Sequence, residues 1–128
     1  MQDNKNAVKL LKAAQKDFKA LKNMTDETLF EVEIFGFHAQ QTVEKLLKAW
    51  LSKIGVKYER IHDLQVLFEL LKDNGQDIPS EIEELENLTD FAVTFRYEVF
   101  ESLDATIDRT NILRNIEILF RAVKSLGL

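Results

Sequence analysis

Between Val32 and Ile54 the apolar residues return every three or four positions: Val32, Phe35, Ala39, Val43, Leu46, Trp50 and Ile54. That spacing places them on one stripe of an α-helix, and it does not fit the two-residue alternation of a half-buried strand. Phe30, Ile34 and Phe37 form a second apolar edge beside the stripe. A helix that is apolar on two sides sits at the centre of a bundle or is shared with another subunit. The pattern predicts a helix over about Asp26–Lys53, capped by Thr25 and ended by Gly55. Gly36 lies inside it, where tolerating a glycine costs about 1 kcal/mol relative to alanine. Its place there suggests the close approach of a second element.

The rest of the chain supplies partners for that helix. Ala7, Leu11, Ala14, Phe18 and Leu21 make one stripe of a first helix over about Asn6–Lys22. Lys5, Lys9, Lys12, Lys16 and Lys19 recur on another face of it. Such a ladder suits an anionic partner, but a solvated face is the commoner arrangement and is the expectation here. A third helix is expected over about Asp63–Lys72, with Leu64, Leu67, Phe68 and Leu71 facing inward, ended by the Asn74-Gly75 turn. Pro79-Ser80 opens a fourth, with Ser80 as cap, Glu83 at the capping-box position, and Ile82, Leu85, Leu88, Thr89 and Ala92 as its buried face. Arg96–Asp104, with weaker periodicity, reads as a loop with at most a helical turn. Asp104 would cap a last helix over about Ala105–Leu126, whose stripe is Leu113, Ile116, Phe120, Val123 and Gly127, flanked by Ile112, Leu119 and Leu126. With four Gly and one Pro in 128 residues, the chain has few places to turn. The fold class expected is all-α: a single domain over residues 1–128, an up-and-down, mostly antiparallel bundle of four to five helices.

The absence of Cys excludes disulfides, thiolate nucleophiles and thiolate metal sites. The two histidines, His38 and His62, have no Glu-x-x-His partner of the di-iron type, so no metal and no cofactor is expected. No apolar run approaches the ~18 residues that cross a bilayer. The polar start MQDNKN lacks the apolar stretch of a signal peptide. A cytoplasmic location without membrane association is the expectation. The net charge of -5 disfavours nucleic-acid binding by overall field. The charge is uneven, however: residues 1–22 carry six Lys against two Asp, and residues 75–108 carry ten acids against Arg96.

Three pieces carry a family resemblance. Residues 37–49, FHAQQTVEKLLKA, resemble the signature helix of HEPN domains, nucleotide-binding domains of higher eukaryotes and prokaryotes. His62-Asp63-Leu64 opens a short helix soon after it, and Arg96-Tyr97 follows the fourth helix, both as in many HEPN proteins. The resemblance implies a helical bundle, commonly a homodimer, that in many prokaryotic members partners a small nucleotidyltransferase. Many toxin-type members, found in toxin–antitoxin pairs, are metal-independent ribonucleases. Their motif is an Arg followed roughly four to six residues later by a His: the His exchanges a proton with a ribose or leaving oxygen, and the Arg neutralises the phosphorane. Here Arg96 is followed by Tyr97, Glu98, Val99, Phe100, Glu101 and Ser102, and no His follows Arg109, Arg114 or Arg121. The catalytic assignment is therefore not carried over, and no catalytic residue is assigned.

His38, Gln41, Glu44 or Lys45, and Lys48 recur at three- or four-residue steps, a polar line beside the apolar stripe. Together with His62, Arg96 and Tyr97 they are the candidate ligand-binding residues. In one reading Lys48 and His38 donate to a small anion while Arg96 approaches from another helix, its planar fork suited to phosphate. In the other, the same groups form a satisfied network between helices, with Glu44 paired to Arg96 or His62. His62-Asp63 could be an acid–base pair, but Asp63 starting the third helix is the stronger reading. The expected function is a non-catalytic, dimeric interaction or nucleotide-binding module that partners a nucleotidyltransferase. The alternatives are an atypical ribonuclease using His38 or His62 with Arg96, and a nucleotide- or RNA-binding protein without chemistry.

Overall fold

The structure is a computed structural model and describes residues 3–91 and 107–128. Among them every regular element is helical: α1 (Asn4–Leu21), α2 (Val32–Lys53), α3 (Leu64–Asp73), the short α4 (Ser80–Glu83) continued by a 3-10 helix (Glu84–Thr89), and α5 (Arg109–Lys124). No helix among the described residues is long and apolar enough to cross a membrane.

The chain forms α1 as its pattern demands. The Asp3 carboxylate accepts the Asn6 amide at 3.0 Å, relieving one of the donors a helix start leaves unpaired. Ala7, Leu11, Ala14, Phe18 and Leu21 are all buried, while the five ladder lysines are exposed. α1 runs antiparallel to α2, because Asn6 meets Ser52 and Tyr58 while Asp17 pairs with Lys45.

α2 starts at Val32, later than the predicted Asp26, and Thr25 does not cap it. The reason is local. The Asp26 carboxylate accepts from the Thr28 hydroxyl at 2.6 Å and the Thr28 amide at 2.9 Å. These bonds hold its carboxyl below the ordinary value, the Thr28 hydroxyl contributing most. The Leu29 and Phe30 amides turn back to the Asp26 carbonyl, so the chain closes a separate turn before the helix begins. Further along, Val32, Phe35, Ala39, Val43, Leu46 and Trp50 are buried as the stripe requires. Gly55, at φ 79°, ends the helix. The Val56 amide reaches the Leu51 carbonyl at 2.9 Å and the Gly55 amide reaches Ser52 at 3.2 Å, the double closure of a Schellman motif. α2 touches α1, α3, the 3-10 helix and α5, which is the central position its two apolar edges imply.

α3 is where the sequence places it. Asp63 accepts the Gln65 amide at 2.9 Å, and the Thr89 hydroxyl accepts the Leu64 amide at 3.0 Å, tying the start of α3 to the 3-10 helix. The expected capping box of the fourth helix does not form. Pro79 occupies the cap position, Ser80 is the first helical residue, and Glu83 is drawn to Lys72 of α3. Ile82, Leu85 and Leu88 are buried and Thr89 is half-buried, as predicted; Ala92 lies outside the described residues.

α5 starts at Arg109, not at Ala105, because Asp108 is the residue that caps it, accepting the Asn111 amide at 3.0 Å. The predicted cap, Asp104, and the segment 96–104 expected to be a loop lie outside the described residues. The buried face of α5 is Ile116, Leu119 and Val123; Leu113 and Phe120 are half-buried and Gly127 is exposed. α2 therefore meets the flank of the expected stripe as well as its centre. Gly36 packs against Phe91: a Cβ there would lie 2.4 Å from a ring carbon, so only glycine leaves room for the ring.

Candidate functional site

The connector at residues 54–63 sets the polar geometry of this protein. It leaves α2 at Gly55 and returns along it, so that His62 comes to rest beside Gln40 and Glu44. That brings together four side chains on one flank of α2. The Glu44 carboxylate accepts from Gln40 Nε2 at 2.9 Å and from Lys48 Nζ at 2.9 Å. His62 Nδ1 lies 3.1 Å from both of its oxygens. Gln40 Nε2 also donates to the His62 carbonyl at 3.2 Å, and its Oε1 accepts from Gln41 Nε2 at 2.8 Å. Each partner arises from helical spacing or from the returning connector: Gln40, Glu44 and Lys48 are successive turns of one helix.

Glu44 is only 6% exposed. Burial is the largest single influence on its carboxyl and pushes its pKa up. The hydrogen bonds from Gln40, Lys48 and His62 together outweigh it and hold the group below its ordinary value. The carboxylate is therefore ionised near neutrality. An ionised carboxylate only accepts, so His62 Nδ1 carries the proton, and Nε2 has no hydrogen-bond partner among the described residues. The His62 side chain is 63% exposed among the described residues. Lys48 also lies over the Tyr58 ring, 5.6 Å from its centroid, and Tyr58 Oη accepts from Asn6 Nδ2 at 3.1 Å. The cluster thus joins α2, its returning connector and α1.

The remaining candidates fall elsewhere. His38 lies edge-on to Phe37, with ring centroids 5.5 Å apart, away from the carboxylate. Lys45 faces α1 and pairs with Asp17. Gln41 reaches the cluster only through Gln40. Arg96 and Tyr97 lie outside the described residues. Asp63 acts as a helix cap, not as an acid–base partner of His62.

Two residues were not legible as site residues in the sequence. Gln40 is fully buried and bridges Glu44 to the connector. Arg109 is buried at the start of α5; its guanidinium lies 5.2 Å from the Phe35 ring centroid and donates to the Met24 carbonyl at 2.9 Å. It fastens α5 to the α1–α2 turn. A buried arginine one residue after a capping aspartate carries no periodic signal that would mark it in advance.

Among the described residues no group of three or more histidine, aspartate or glutamate side chains is placed to hold a metal ion. A comparison with known families matches the HEPN domain over residues 7–126. No curated protein and no solved structure matches the chain.

Proposed function

The chain belongs to the HEPN-domain family, and on that premise we propose that it acts as a binding and assembly module, without chemistry of its own. It pairs with a second copy and presents its helical surface to a partner, of which a small nucleotidyltransferase is the favoured class. The observation that carries this reading is the closed bonding of Glu44. Its two oxygens take up Gln40, Lys48 and His62, so the lysine and the glutamine that could grip a small anion are already engaged inside the fold. A site awaiting an anionic ligand keeps its donors unpaired or aims them into a cleft. The dimer half of the reading draws on the start of α2, where Leu29 is 73% exposed and Phe30 and Ile34 are half-buried. Size-exclusion chromatography with light scattering tests that half, the expected mass being twice 14.9 kDa. Calorimetry against a small nucleotidyltransferase tests the other. A strict monomer at high micromolar concentration, with no heat on mixing, removes the proposal.

One observation favours a second reading. A histidine oriented by a buried carboxylate is how a general acid–base is commonly held. If a phosphate-gripping arginine stands near His62 Nε2, the protein is an atypical ribonuclease. Loss of RNA cleavage in His62→Ala would establish that reading over the first.

A further inference from the structure

α1 and α5 lie side by side, antiparallel, with the Phe18 and Phe120 rings stacked between them at 6.2 Å and 26°. The groove along their outer faces has a volume of about 790 Å³. Its rim carries Lys12, Lys16, Lys19 and Lys22 from α1 and Arg121 and Lys124 from α5, against one carboxylate, Glu117. Glu117 lies 3.4 Å from Arg121 in an exposed pair, so it offsets one of six cations at most. This concentration of positive charge stands on a chain whose net charge is -5. Two helices converge to produce it, which a single solvated lysine face does not do.

From this arrangement we infer that the α1–α5 groove is a binding site for the phosphodiester backbone of a single-stranded nucleic acid. The inference is independent of the proposal above, since the groove shares no residue with the Glu44 cluster. Three features select this occupant over an acidic protein segment. The four α1 lysines are spaced along about 15 Å of helix, a run that can follow a strand of several nucleotides. Five of the six cations are lysines, point charges that neutralise phosphates without reading sequence. An aromatic ring, Phe120, is half-buried in the floor, and Lys22 Nζ sits 4.6 Å from the neighbouring Phe18 centroid. The ring is stacked on Phe18, and its partly exposed remainder is apolar surface that a base can meet and a carboxylate peptide has no use for.

The test is fluorescence anisotropy with the full chain and labelled twelve-residue oligouridylate, the matching oligodeoxythymidylate and polyglutamate, each at 50 and 200 mM salt. Both oligonucleotides are expected to bind. If four phosphates are neutralised, the logarithmic salt slope is about -3, and affinity falls about fifty-fold between the two salts. The double variant Lys16→Glu/Lys19→Glu alters only exposed side chains, and its circular dichroism melt should match that of the parent. It should lose at least about tenfold in oligonucleotide affinity and flatten the salt slope by about 1.4. Phe120→Leu keeps apolar bulk and removes the ring, and should weaken oligonucleotide binding at least about threefold. No oligonucleotide binding at 50 mM salt overturns the inference. So does unchanged affinity in the lysine variant, or polyglutamate binding as tight as the oligonucleotides, which would make the groove a dock for acidic protein.

Discussion

Replacing Glu44 is the most informative perturbation of the fold. The carboxylate is nearly inaccessible, and Lys48 beside it is largely buried too. Glu44→Ala leaves Lys48 without its carboxylate and Gln40 Nε2 with only the His62 carbonyl as acceptor, and removing one member of a buried ion pair costs about 3–5 kcal/mol. Here His62 is exposed and can turn to water, so the lower end, about 3 kcal/mol, is expected. At this chain length that corresponds to a fall in Tm of roughly 10 °C. Glu44→Gln keeps the shape but sets an amide donor against one of three existing donors, at about 1–3 kcal/mol. The pH dependence separates a charge effect from a packing effect. The folded carboxyl is held below its ordinary 4.5. The group therefore stabilises the fold fully above that value, and the contribution is lost as pH falls through the lower folded value. Urea denaturation of the parent and Glu44→Gln across pH 3–7 should give a constant stability gap near neutrality that narrows on the acid side, below about pH 4.5. A gap that stays the same down to pH 3, or no gap at pH 7, would refute the reasoning: the bonds to Gln40, Lys48 and His62 would not then be what holds α2 to its connector.

Gly36→Ala should lower stability despite alanine's better helix propensity, because its Cβ would lie 2.4–2.5 Å from three atoms of the Phe91 ring. Overpacking of about 1–3 kcal/mol set against a propensity gain of about 1 leaves a net loss of up to about 2 kcal/mol in chemical denaturation, smaller when Phe91→Ala is added. Asp63→Ala removes the cap of α3 and should cost about 1 kcal/mol by the same assay. Arg109→Lys keeps the charge but loses the planar stack on Phe35 and the bond to Met24; a loss of about 1–2 kcal/mol is expected, read as a lower thermal midpoint.

Much of the fold was legible because apolar spacing alone decides which face of a helix is buried. Every stripe residue of α1 and α3 went where its spacing sent it, and the glycine signals at positions 55 and 75 both closed helices. The errors fell at helix starts. Thr25 and Ser80 do not cap their helices, because side-chain competition that spacing does not encode intervenes: Asp26 bonds its own turn, and Glu83 finds a lysine on another helix. The site was half legible. Glu44 and Lys48 are helical neighbours and could be paired from the sequence, and His62 was one of two named partners for Glu44. His38 was included because it shares the polar line, yet its six-residue separation from Glu44 turns it to a different face. Gln40 and Arg109 gained their roles only from the path of the connector and the α1–α2 turn, which are long-range geometry. Phe120 and Arg121 likewise became part of a cationic groove only when α5 came to lie beside α1.

Whether the histidine held by Glu44 performs chemistry decides between a clasp and a catalyst. The direct measurement is a time course of mixed cellular RNA incubated with purified protein and, in parallel, with His62→Ala, without added metal and resolved by gel. The closed network predicts intact RNA in both lanes at equal times. Fragments generated by the parent and abolished by His62→Ala would contradict it, and would place a general acid–base where the fold has been read as a clasp.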